Sequence, residues 1–201
     1  MKSADGTGLI PQPSATRLGD LVQIIPGYSD RQKPQPHPSL LRIVGARAVR
    51  DECVAWDQLE PCERRPGAER AQLRDGDLLL AVRSVEPRVV RISRPPAGTV
   101  AGASFAILRD PASTVDLGYL HWHLNAAGPR DRLRSMLRGS SIAFLPIADL
   151  ASLEVSLPPL TRQLAIVRVA TLRARLSALT HRLDHSIDRL LEHAAITPDS
   201  A

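Results

Sequence analysis

The sequence predicts an α+β protein, a mixed globular domain followed by a long C-terminal coiled-coil helix. Three observations carry that expectation. Short apolar runs, several of them strictly alternating, recur between Gly and Pro turns as far as Leu157. Two consecutive prolines, Pro158 and Pro159, then interrupt the pattern. Beyond them the apolar residues repeat at alternating steps of four and three. The boundaries that follow are a flexible leader over 1–16, the globule over 17–158, the helix over 159–195 and a short tail over 196–201. With 201 residues and 43% hydrophobic content, the chain can bury a core without metals or disulfides.

Taken in order, the leader MKSADGTGLIPQPSAT lacks an apolar signal core. Leu18, Leu21 and the Val22–Ile25 run read as a helical turn passing into a strand that closes at Pro26-Gly27. QKPQPHP at 32–38 has three prolines in seven residues and reads as an extended surface loop. LLRIVGARAV at 40–49 is a buried-strand candidate, and 50–72 is charged and irregular. LRDGDLLLAVRS at 73–84 places an Asp-Gly turn before a strongly apolar strand. RVVRIS at 88–93 and GASFAILR at 102–109 alternate, as strands do. Leu117, Leu120 and Leu124 are spaced for a short amphipathic helix. A basic stretch, a Gly-Ser-Ser turn and another strand follow over 130–147.

The terminal helix carries Ala165, Val169, Leu172, Leu176, Leu179, Leu183, Ser186 and Leu190 in heptad register. From Thr161 to His193 it would run roughly 50 Å at 1.5 Å per residue. Such a helix cannot bury its stripe against itself, and the globule offers no second long helix. Pairing between chains through Ala165, Val169, Leu172, Leu176, Leu179, Leu183 and Leu190 is the expectation, with Ser186 as an interruption. At the junction, Pro159 suits a first helical turn, and Thr161 is the alternative cap.

Net charge is +5, which permits a nucleic-acid partner. Only two of the 26 basic residues are lysines, so part of this charge reflects an Arg-rich composition. The surplus concentrates in residues 1–50, with seven basic and three acidic side chains, around Arg31, Lys33, Arg42, Arg47 and Arg50. No run of about 18 uncharged apolar residues is present, so no membrane span is expected. Cys53 and Cys62, nine apart, match no zinc or redox spacing and read as free thiols of a cytoplasmic protein. His181 and His185 are four apart but lack a Glu or Cys at ligand spacing, and His121 and His123 would point apart on a helix. Nucleophile-elbow, P-loop, dinucleotide and metalloprotease motifs are absent, as is an Asn-Pro-Pro-aromatic run. Asp75 and Asp77 around Gly76 read as turn chemistry. The chain therefore reads as non-catalytic, with no cofactor of its own.

Three segments in this order, LGDLVQIIPGYSDR at 18–31, LRDGDLLLAVRS at 73–84 and LRGSSIAFLPIADLASLEVSLPPLTRQLAIV at 137–167, resemble the specificity subunit of type I restriction–modification systems. The last segment is the most specific: a Gly-Ser turn, Leu-Pro-Pro-Leu, Gln163 and Ile166, then the heptad helix. The resemblance implies a target-recognition domain over 17–158 that binds half of a bipartite double-stranded DNA site. It also implies a helix that spaces such domains and docks an adenine-N6 DNA methyltransferase, which would carry the S-adenosylmethionine. The usual subunit has two such domains and two antiparallel helices, and this chain has one of each. It would pair with itself or with another half subunit. A specificity-like protein that dimerises and recruits or blocks a methyltransferase without reading DNA is the alternative.

Recognition loops vary in this family, so DNA contacts are chosen on chemistry. The loop bearing Tyr28, Arg31, Gln32, Lys33 and Gln35 is basic and amide-rich, with Arg47 nearby in sequence. Arg can pair with guanine and Gln with adenine in the major groove. A second group comprises Arg130, Arg132, Arg134, Arg138 and Ser140.

Overall fold

A computed structural model describes residues 14–29, 40–50, 53–63, 67–140 and 143–196. In chain order, β1 (Ser14–Arg17) leads through the single turn α1 (Leu18–Leu21) into β2 (Gln23–Pro26) and, later, β3 (Leu40–Val44). The short strands β4 (Val49–Arg50), β5 (Cys53–Val54) and β6 (Glu60–Glu63) precede β7 (Leu78–Ala81), β8 (Val89–Arg91), β9 (Thr99–Ala101) and β10 (Phe105–Arg109). Helices α2 (Leu117–Asn125), α3 (Ala127–Ser135) and α4 (Ile147–Ala151) lead to β11 (Glu154–Leu157) and the 37-residue α5 (Leu160–Ile196).

An antiparallel four-stranded sheet, ordered β2-β10-β7-β8, divides the interior. Both of its faces are covered, which explains why Leu78, Leu79 and Leu80 are consecutive rather than alternating with polar residues. Leu78 and Leu80 enter one core with Ala106, Leu108, Leu120, Leu124, Leu133 and Val155. Leu79, on the opposite face, enters a second core with Val44, Ile92, Val100, Phe105 and Ile107. The second core is roofed by a three-stranded sheet, β6-β3-β9, in which β3 and β9 run parallel. The sheets meet at Gly27, where a Cβ would lie 2.0 Å from the Gly102 carbonyl oxygen, so only glycine fits.

The turn before β7 forms as the Asp-Gly pair predicts, with Gly76 at φ 86°. Asp77 does more than hold the turn. Its carboxylate accepts from the Arg74 backbone N–H at 2.7 Å and from Arg109 Nε and Nη2 at 2.8 and 2.6 Å. The Asp77 side chain is 3% exposed, and that of Arg109 is 12% exposed. This ion pair therefore ties β10 to the start of β7 from within the core.

Several expectations need correction. Residues 14–16, assigned to the leader, belong to β1, whose edge pairs antiparallel with β11. The strand expected over 40–49 ends at Val44, where Gly45 opens a 3-10 turn. The basic run at 130–135 lies in α3, held by fully buried Leu133. The strand expected in the second half of 130–147 does not form over 143–147. Phe144 forms only an isolated bridge with Arg138, and Ile147 starts α4 behind Pro146. Proline pre-sets the geometry of a helix start, and here that outweighs the apolar run.

The long helix is fastened at its first two turns. Pro159 O accepts from Arg162 N and Gln163 N at 2.9 and 3.1 Å, so the helical bonds begin on the second proline and Thr161 is not the cap. Gln163 is 3% exposed, its Nε2 donating to Pro158 O at 2.8 Å and its Oε1 accepting from Asp116 N at 3.0 Å. Asp116 in turn caps α2 by accepting from Tyr119 N, and Tyr119 Oη donates to Ser156 O. Gly118 lets the helices approach, because a Cβ there would lie 3.1 Å from Val167 Cγ1.

Two stability tests follow. Arg109→Met leaves a buried carboxylate without its counter-charge and should lower unfolding free energy by about 3–5 kcal/mol in urea titration, with the paired change Arg109→Met/Asp77→Leu recovering part of it. Gln163→Leu leaves a donor and an acceptor unpaired and should cost about 2–4 kcal/mol. Gln163→Glu keeps an acceptor for Asp116 N but loses the donor to Pro158 O. Hydrogen exchange should report the loosening of both Gln163 variants at 160–167 ahead of the sheet.

Candidate nucleic-acid interface and pairing helix

The structure separates the two basic groups expected from sequence. Tyr28 is half-buried at the end of β2, packed on the second core, and its N–H donates to Ala101 O at 2.7 Å. Arg47 is exposed on the turn after β3, which is also part of the second core's wall. Arg31, Gln32, Lys33 and Gln35 lie outside the described residues. Arg130, Arg132 and Arg134 stand on α3, against the first core. Tyr28 and Arg47 thus lie on the opposite side of the four-stranded sheet from Arg130, Arg132 and Arg134, by the cores they cover.

Within the second group, the arginines are not equivalent. Arg134 is bound to both carboxylate oxygens of Glu86 and reaches Asp131 at 3.1 Å. The hydrogen bond from Arg134 holds the Glu86 carboxyl below its usual range. Arg138 pairs with Asp149 at 2.6 Å. Arg132 is exposed and makes no ion pair among the described residues. It sits near His123, whose imidazole is pushed below its ordinary value first by burial and then by the Arg132 charge. Arg132 is therefore the most available cation of this group, whereas Arg134 and Arg138 must exchange a carboxylate for any phosphate.

Arg138 and Phe144 exchange backbone hydrogen bonds at 2.8 Å in both directions, closing a short loop that carries exposed Ser140. Phe144 is 43% exposed there. It was missed because the apolar run over 142–147 reads as a strand. An exposed ring beside an arginine and a serine is suited to contact sugar or base surfaces as well as phosphate. Among the described residues no cluster of three or more His, Cys, Asp or Glu side chains could hold a metal. Cys53 is exposed and Cys62 buried, and no disulfide joins them. No helix among them is long and apolar enough to cross a membrane.

On α5, Gln163, Ile166, Val167 and Ala170 face the globule, and Ala165 and Val169 point away from it. From Thr171 to His193 every residue is exposed except half-buried Ser186. The helix does not fold back on its own domain. Val169, Leu172, Leu176, Leu179, Leu183 and Leu190 are 57–70% exposed, on one apolar stripe. Ile187, 45% exposed, continues that stripe where Ser186 breaks it, because Leu183, Ile187 and Leu190 are spaced four and three. Leu183 and Leu190 remain seven residues apart, so Ile187 fills in beside Ser186 and the stripe runs on in the same register. Ser186 Oγ is occupied within the helix, donating to Arg182 O.

No protein-family model matches the sequence. No curated protein matches it either. Solved structures do match. A chain from work on complex assembly and conformational transition of the type I restriction–modification system superposes with a TM-score of 0.65 at 21% identity, over 96% of this chain and 46% of that one. The type I restriction–modification S subunit from M. genitalium gives 0.58 at 14% identity, over 100% and 49%. The HsdS subunit from Thermoanaerobacter tengcongensis gives 0.60 at 21%, over 90% and 42%. The chain spans about half the length of these structures. It has the fold of one half of a type I restriction–modification S subunit.

Proposed function

We propose that this chain is a non-catalytic DNA-specificity subunit that works as a pair. Each globule would bind half of a bipartite duplex target, and the paired α5 helices would set the distance between halves. An adenine-N6 methyltransferase carrying S-adenosylmethionine would be brought to that target, alone or within a restriction complex. The observation that carries this reading is the exposed seam on α5. A stripe of six large apolar side chains, each more than half exposed, has no cover among the described residues. Burying it against a second copy at about 25 cal/mol per Å² is the largest stabilisation open to the helix. A two-fold pair demands an inverted-repeat target with a fixed unread gap.

A second reading draws support from Arg134 and Arg138, both of which are engaged by carboxylates. A chain that pairs and recruits or blocks a methyltransferase would need no sequence reading.

Sizing and selection separate these readings. Light scattering should give the mass of a dimer, and Leu176→Asp or Leu183→Asp should give a monomer, because either places a charge in the seam. A monomeric parent protein defeats the pairing. Selection from random duplex DNA, with the methyltransferase present and absent, should return one split sequence that becomes methylated. Equal retention of all sequences leaves the recruiting role.

A further inference from the structure

The pairing seam has a second stripe beside it. Arg168, Arg175, Arg182 and Arg189 recur every seven residues, two turns of helix, and so lie in one row along α5. Each immediately precedes a residue of the seam, before Val169, Leu176, Leu183 and Leu190. All four are exposed, and none makes an ion pair among the described residues. Of the helix's own acids, Asp184 and Asp188 lie well round the axis from this row, whereas Glu192, three residues past Arg189, borders its distal end. The row is therefore cationic over roughly 32 Å from Arg168 to Arg189, with Glu192 beside its last arginine.

Pairing the helices does not neutralise it. In heptad terms the four arginines flank the seam at the position usually given to an interhelical ion pair. In an antiparallel pair this flank of one helix borders the same flank of its partner, so arginines meet arginines. Eight guanidinium groups would then line one edge of the rod, where mutual repulsion costs stability unless an anion lies along them.

We infer that this edge holds the sugar-phosphate backbone of duplex DNA across the unread gap between the two half-sites. The inference rests on the DNA-reading role proposed above. The residues between the arginines favour phosphate over an acidic protein. Thr171, Ala178 and His185 fill the row from one arginine to the next. They offer small or polar side chains, whereas protein interfaces are built on apolar or aromatic anchors with depleted charge at their centre. The row spans about nine base pairs of duplex at 3.4 Å per step. Its regular charge suits a partner that presents charge regularly and carries no sequence information.

At its globule end the row opens onto a cleft of about 390 Å³ between α2 and α5. Arg91, Asn125 and the 40%-exposed Trp122 line it together with Thr171. The basic edge thus continues onto the domain through Arg91 rather than ending at the helix.

The test uses the full-length dimer and the duplex that the parent protein selects. The quadruple change Arg168→Gln, Arg175→Gln, Arg182→Gln and Arg189→Gln should leave the dimer mass and the selected half-sites unchanged. Its affinity should fall, and the slope of log affinity against log salt should become shallower by about 0.9 for every arginine that holds a phosphate. The corresponding Arg→Lys protein should keep the slope, and Arg173→Gln, on the other flank of the seam, should leave it unaltered. Methylphosphonates placed only in the gap should weaken the parent protein and spare the quadruple Gln variant. An unchanged salt slope overturns the inference. So does a variant that binds DNA normally but loses the methyltransferase, which would make an acidic protein face the occupant. A parent protein that selects no sequence defeats the proposed function instead.

Discussion

Gln163 crosses the junction between globule and helix with two hydrogen bonds, one to the carbonyl of Pro158 and one from the amide of Asp116. The direction in which α5 leaves the domain depends on this buried side chain. A seam can pair two helices wherever the domains happen to lie, but a fixed separation between two domains requires each to be rigidly set on its own helix. Apolar packing from Ile166 and Val167 holds the helix down without fixing its rotation. A primary amide bonded at both ends fixes it, because a small turn of the helix breaks one bond or the other. The cap of α2 then extends the constraint through Asp116 into the core, where Tyr119 reaches back to β11.

Much of this was legible in the sequence, and what was not has physical causes. The heptad stripe needed only spacing, and the prolines marked where it starts. The strands at 78–81, 89–91 and 105–109 were readable because their apolar runs are dense enough to fill a buried sheet. α3 was not, since Gly128 and Pro129 argue against helix locally while Leu133 is held in place by tertiary packing. Phe144 was misplaced for a related reason, as a short apolar run cannot by itself distinguish a strand from a loop. Ile187 was overlooked because strict heptads pass through Ser186, and its place beside the stripe becomes plain only when the exposed face of the helix is seen.

The candidate interface was less legible than the fold. Cations can be counted in a sequence, but their partners cannot, and the structure gives Arg134 to Glu86 and Arg138 to Asp149. Neither pair is close in sequence, so no local pattern announces it. Arg132 and the row on α5 keep their charge available, and the difference between a bound and an unbound arginine decides where a polyanion would lie. The same reasoning shows why Asp77, read as a turn residue, serves the core as well. Its carboxylate answers Arg109, 32 residues away.

The pairing of β1 with β11 places Ser14 opposite Leu157 and Arg17 opposite Glu154. The backbone thus enters and leaves the globule side by side. Between those two strands the domain is an excursion of the chain, fastened at this clasp and, through Asp116 and Gln163, at the foot of α5. The ladder is made by backbone groups, so side chains away from these two fastenings can change without moving either. A helix mounted in this way can carry a changed domain surface without a change in its own direction.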